Sequence, residues 1–195
     1  MFEVDTRFDP KSRNFSNKRK KTVTRTFRIR AKWDEALRQE AERQGISVNA
    51  LMNLILQKYA CFDRLCRGRN VISLTERAFH DIIEGIPLEH LALAGENTGS
   101  KDVQDIIDML GLPSNYDSFV YLVTKHFGGA DCAMWFNCYR HFHKNSDLFH
   151  LQHNLGREWS VYLEKYLLSY LKTLKIDCET KVYDYAVNIR IPQPR

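Results

Sequence analysis

From Thr22 the chain alternates. Val23, Phe27 and Ile29 share one parity while Thr24, Thr26, Arg28 and Arg30 share the other, a period of two that predicts a half-buried strand. Arg25 breaks the apolar parity and is expected at the frayed strand edge. At Trp33 the period becomes helical: Trp33, Leu37 and Ala41 recur about one turn apart, with Asp34 and Glu35 in the first turn and Arg43 in the last. Gly45 ends that helix. Ser47, a good N-cap, opens a second helix with Leu51, Leu54, Ile55, Tyr59, Phe62 and Leu65 on its apolar side. The stretch "RGRN", residues 67–70, reads as a linker.

Beyond the linker the pattern predicts a short strand at Val71 to Leu74 and a helix carrying Phe79, Ile82, Ile83 and Ile86. Two more helices follow. One holds Val103, Ile106, Ile107 and Leu110; the other starts near Ser114, carries Phe119 to Phe127, and stops at Gly128 and Gly129. The period then shortens at Met134, Phe136, Cys138 and Phe142, "KNSD" turns, and "LFHLQH" returns as a hairpin partner. The widest apolar stripe comes next, from Trp159 through Tyr162, Leu163, Tyr166, Leu167, Tyr170 and Leu171 to Leu174. Strands over Cys178 to Tyr183 and Ala186 to Ile191 complete a strand-strand-helix-strand-strand ending. That order predicts an α+β domain whose antiparallel sheet is covered on one face by the long helix.

With 195 residues and 44% hydrophobic content, the chain can bury a sizeable core and fits one large domain or two small ones. Charge favours two. Residues 1–70 hold 17 Lys+Arg against 8 Asp+Glu, or +9, and residues 71–195 hold 12 against 16, or −4. A basic N-terminal half suggests a polyanion-binding module joined to a part with another task. The expected organisation is a flexible basic arm at 1–21, a first domain at 22–66 and an α+β domain at 70–195. No apolar run approaches the roughly eighteen residues that span a bilayer, so no membrane partner and a cytoplasmic location are expected. Five cysteines, Cys61, Cys66, Cys132, Cys138 and Cys178, lack a CxxC pair and predict buried free thiols.

A lone strand before two helices cannot satisfy its own backbone groups. The simplest partner is the same strand of a second chain, antiparallel across a two-fold axis, with Phe27 and Ile29 packed on four helices and the Thr and Arg positions outward. Such a ribbon fits the DNA major groove, where Arg can donate twice to guanine and Thr can bond a base edge or touch a thymine methyl.

"RTFRIRAKWDEALRQEAERQGISVNALMNLILQKY" resembles a ribbon-helix-helix DNA-binding domain of the Arc/MetJ/CopG type, over about residues 22–62. The resemblance implies an intertwined dimer bound to double-stranded DNA. It places base reading on Thr24, Thr26 and Arg28, with Arg30 at the strand end as a phosphate or base contact. The family's G-x-S-x-[SN] turn stands here as "GISVN", which implies phosphate binding by the amides near Ser47, Val48 and Asn49. Lys18, Arg19, Lys20 and Lys21 extend the expected phosphate contacts into the arm.

The C-terminal part offers less chemistry. His141, His143 and His150 crowd the predicted hairpin with Cys138, a suggestive set for nickel, copper or zinc, and a nickel-responsive repressor has the same layout. The plainer reading is that they are polar sheet-face residues, with no cofactor. "HNLGREWS" tempts one to see a catalytic loop with His153 and Ser160, but GxSxG, a glycine-rich phosphate loop and informatively spaced carboxylates are all absent from the sequence. The expectation is therefore a non-enzymatic, dimeric, sequence-specific transcriptional regulator whose C-terminal domain oligomerises or senses an effector. An antitoxin whose C-terminal domain binds a protein partner, and a metal-responsive repressor, are the alternatives.

Overall fold

The computed structural model describes residues 22–66, 71–129, 133–143 and 145–192. The expected arm with Lys18, Arg19, Lys20 and Lys21, the linker at 67–70 and Cys132 lie outside the described residues. Residues 22–30 belong to no helix, strand or turn, and lead into α1 (Ala31–Gln44). A strand exists only where a neighbour completes its ladder, and among the described residues none pairs with this segment. Gly45 closes α1 at φ 66°, a left-handed turn that lets the Ile46 amide donate to the Ala41 carbonyl at 2.9 Å. Ser47 caps α2 (Val48–Lys58), its Oγ accepting from the Ala50 amide at 3.1 Å. The helix continues through a π-helical stretch, Tyr59–Asp63, into the short α3 (Arg64–Cys66).

Val71 to Leu74, expected as a strand, form none. Their apolar side chains are more than half exposed and run into α4 (Glu76–Ile83), capped by Thr75. The next helix, α5 (Leu88–Leu110), begins well before Val103, where apolar periodicity first became visible. Asn115 caps α6 (Tyr116–Tyr121), its side chain accepting from the Ser118 amide at 3.0 Å, and the helix runs on as a π-helical stretch, Leu122–Phe127, ending at Gly128.

Four strands form one antiparallel sheet in the order β1-β2-β4-β3: β1 (Asn137–His143), β2 (Ser146–Gln152), β3 (Glu179–Val182) and β4 (Ala186–Pro192). Between β2 and β3 runs α7 (Gly156–Thr173). The expected α+β arrangement is therefore present: mixed helices with an antiparallel sheet against the long helix. Leu163, Tyr166, Leu167, Tyr170 and Leu171 of α7 meet Phe149, Leu151, Val187 and Ile189 of the sheet, all at most 1% exposed. Phe119, Val123 and Phe127 complete this core from the α6 side.

The helices α5 and α7 approach closely because Gly95 and Gly99, one turn apart, present bare backbone at the crossing. A methyl group on Gly95 would collide with the Tyr162 carbonyl, and one on Gly99 with the Tyr166 carbonyl and the Ser169 hydroxyl. Under the sheet, fully buried Asp147 accepts from Arg140 Nε at 2.9 Å, Arg140 Nη2 at 2.5 Å and the Tyr116 hydroxyl at 2.5 Å. Burial and the neighbouring carboxylate push the Tyr116 phenol well above its ordinary range.

Candidate functional site

Thr24, Thr26, Arg28 and Arg30 are all exposed. Arg30 stands at the N-terminus of α1, its guanidinium 5.1 Å from the centre of the Trp33 ring. Ser47, Val48 and Asn49 open α2, where the Ser47 hydroxyl is engaged as the cap while Asn49 is exposed. The apolar positions of this half are uncovered as well: Phe27 is 58% exposed, Trp33 52% and Ile55 44%. By contrast Ala41 and Leu51 are buried where α1 and α2 meet.

Strand pairing separates the metal candidates. Tyr139 pairs with His150 and His141 with Leu148, so these side chains share one sheet face, whereas Cys138 alternates to the other face, toward the core. His143 pairs with Ser146 at the hairpin end. His150 Nδ1 is 2.6 Å from Asn188 Oδ1, and its ring lies 6.1 Å from that of Tyr139. Cys138 therefore does not converge with His141 and His150 on one ion. Burial pushes the Cys138 thiol up to about 11. Cys66, Cys138 and Cys178 are half-buried rather than buried as expected. Among the described residues only His80, Asp81 and Glu84 gather their ligand atoms, on an exposed turn of α4.

His153 and Ser160 do meet. His153 Nε2 lies 2.8 Å from Ser160 Oγ, and both residues are buried. The geometry is that of a brace. The Leu155 amide donates to His153 Nδ1 at 3.2 Å, so the ring proton sits on Nε2, which donates to the serine; the serine hydroxyl in turn faces the Asp184 carbonyl at 3.4 Å. An activated serine needs the reverse, a bare imidazole nitrogen accepting its proton. The pair ties the end of β2 and the start of α7 to the β3–β4 turn.

Burial lowers the His153 imidazole from 6.5 to about 4. The fold holds it neutral, so its contribution is fully present above the unfolded value and is lost as pH falls from 6.5 toward 4. We expect wild type to lose up to about 3 kcal/mol of unfolding free energy across that window. A His153→Gln variant should lose correspondingly less. Urea midpoints measured at several pH values check this, and parallel pH profiles for the two proteins would overturn it.

A hollow lies between α4, α7 and the segment before β1. It is a cavity of about 790 Å³ with Phe79, Trp135, Trp159 and Tyr162 in its wall. The Trp159 ring is edge-on to Phe79 at 5.3 Å and to Trp135 at 5.6 Å, and stacks on Tyr162 at 5.1 Å. The Trp159 to Leu174 stripe is core from Leu163 onward, but Trp159 and Tyr162 also line the cavity. The signal for it is split among Phe79, Trp135 and Trp159, which no local periodicity connects.

No family model and no curated protein matches this chain.

Proposed function

We propose that the chain is a dimeric, sequence-specific DNA-binding transcriptional regulator, with residues 22–66 as a ribbon-helix-helix reader and residues 70–195 as an α+β oligomerisation or sensing domain. The observation that supports this reading is the state of residues 22–30. They are exposed along their whole length, unpaired among the described residues, and lead directly into two helices with uncovered apolar side chains. A second copy would complete the ladder and bury Phe27, Ile29, Trp33 and Ile55, each worth about 1.5–3 kcal/mol if fully removed from water. The outward face would then hold Thr24, Thr26 and Arg28 from both chains, spaced for base edges in the major groove. Arg30, the amides at Ser47, Val48 and Asn49, and Lys18 to Lys21 would take phosphates.

Selection of bound sequences from a random DNA pool tests the proposal, and the Arg28→Ala variant sharpens it. Loss of the guanidinium should weaken binding to the selected operator by roughly 1–3 kcal/mol and relax the preference at one base position, whereas removing the charges at Lys18 to Lys21 should flatten the salt dependence. Equal operator affinity for wild type and Arg28→Ala, or a monomer by analytical ultracentrifugation at the concentration where DNA binds, would overturn it.

A further inference from the structure

The cavity walled by Phe79, Trp135, Trp159 and Tyr162 carries an inference that stands whether or not the N-terminal half reads DNA. Its volume, about 790 Å³, falls within the range of small-molecule sites, and its wall is mainly apolar, as such sites are. Two carboxylates line it, Glu76 and Glu158, and among the described residues no Lys or Arg does. Glu158 belongs to the first turn of α7, where a helix end favours negative charge. His153, also in the wall, is held neutral by burial.

A second observation concerns Trp159 itself. Its Nε1 is buried and, among the described residues, has no hydrogen-bond partner, an unfavourable state for an N–H donor. A leucine or phenylalanine would fill a core position without that penalty. Independently of that N–H, Trp159 stacks on Tyr162 beside Phe79 and Trp135, and a cluster of aromatic rings beside carboxylates is how proteins hold organic cations.

We infer that this cavity binds a small organic cation with an apolar body, such as a quaternary or substituted ammonium compound. The aromatic rings take the apolar part and the face of the charge, and Glu158 and Glu76 balance it. An anion of the same size meets two carboxylates with no basic side chain to offset them, and a neutral molecule gains only the apolar contacts.

The experiment titrates the full-length chain with three probes of similar size, benzyltrimethylammonium, benzyl alcohol and phenylacetate, following the indole N–H signals of its three tryptophans by NMR. The cation should bind saturably and at least about tenfold more tightly than the other two, shifting the Trp135 and Trp159 signals while leaving Trp33 unchanged. Glu158→Gln should weaken the cation about tenfold and leave benzyl alcohol unchanged. Phe79→Leu, which keeps apolar volume but removes a π face, should weaken the cation and spare benzyl alcohol, whereas a merely structural role for Phe79 would weaken both. The inference is overturned if benzyl alcohol or phenylacetate binds as tightly as the cation. It is equally overturned if no probe binds at about 10 mM, or if Glu158→Gln leaves the cation's affinity unchanged.

Discussion

Gly99→Ala should destabilise the protein by about 3 kcal/mol or more, although alanine in an ordinary helix interior would stabilise it by about 0.5–1 kcal/mol. The sign reverses because of what lies opposite. A Cβ at position 99 would enter the space of the Tyr166 carbonyl and the Ser169 hydroxyl, on a stretch of α7 whose other side is packed against the sheet. The obstacle is helix backbone, which cannot rotate away as a side-chain tip can, so the helices must separate and forfeit packing along their crossing. Asn97→Ala, at an exposed position on the same helix, should change stability by no more than about 0.5 kcal/mol. Urea unfolding followed by circular dichroism measures both. An unchanged midpoint for Gly99→Ala would show that α5 and α7 are not packed backbone to backbone.

Arg140→Ala should cost about 3–5 kcal/mol, the usual result of stripping one partner from a buried ion pair. Asp147 is 0% exposed and depends on Arg140 for two of its three hydrogen bonds described above; the third comes from Tyr116. Without the guanidinium, the carboxylate stays in the core and loses the cation that faces it at hydrogen-bond distance. The loss also has a packing component, since the Arg140 guanidinium lies 5.5 Å from the Phe149 ring and 4.5 Å from that of Phe142. Replacing both members, Arg140→Leu with Asp147→Leu, should recover much of the stability, because the desolvation cost of the pair disappears along with its attraction. Thermal and urea unfolding of the two single variants and the double form a cycle. A double variant no more stable than Arg140→Ala would show that the pair is not the source of the effect.

The two halves of the fold differed in how far they could be read from sequence. The α7 stripe and the strands at β1, β2, β3 and β4 were legible because each buries one face against a single layer, which imposes a clean period on the side chains. The first half of α5 was not, because its contact with α7 is made by Gly95 and Gly99. Residues that allow close approach look in sequence like residues that break helices. Val71 to Leu74 misled in the opposite sense: their apolar run has strand composition, but Ile72 and Leu74 line the cavity and make no ladder.

At the candidate sites, the alternation around Arg28 is legible because a period of two is a local property of the sequence. The cavity was invisible because its wall is assembled from α4, α7 and a loop, by residues whose neighbours in sequence say nothing of one another. Spacing alone brings His153 and Ser160 to attention; the Leu155 amide, which fixes the ring proton, makes the pair a brace.

The strand order also bears on how the chain reaches this fold. Each outer strand pairs with its sequence neighbour, β1 with β2 and β3 with β4, across a short turn, so both hairpins can close locally. The central pair, β2 with β4, joins segments that have the whole of α7 between them. Its closure bears the loop entropy of that intervening chain and is compensated only when α7 docks on the sheet at the same time. Joining the two hairpins is thus energetically coupled to seating the helix that connects them.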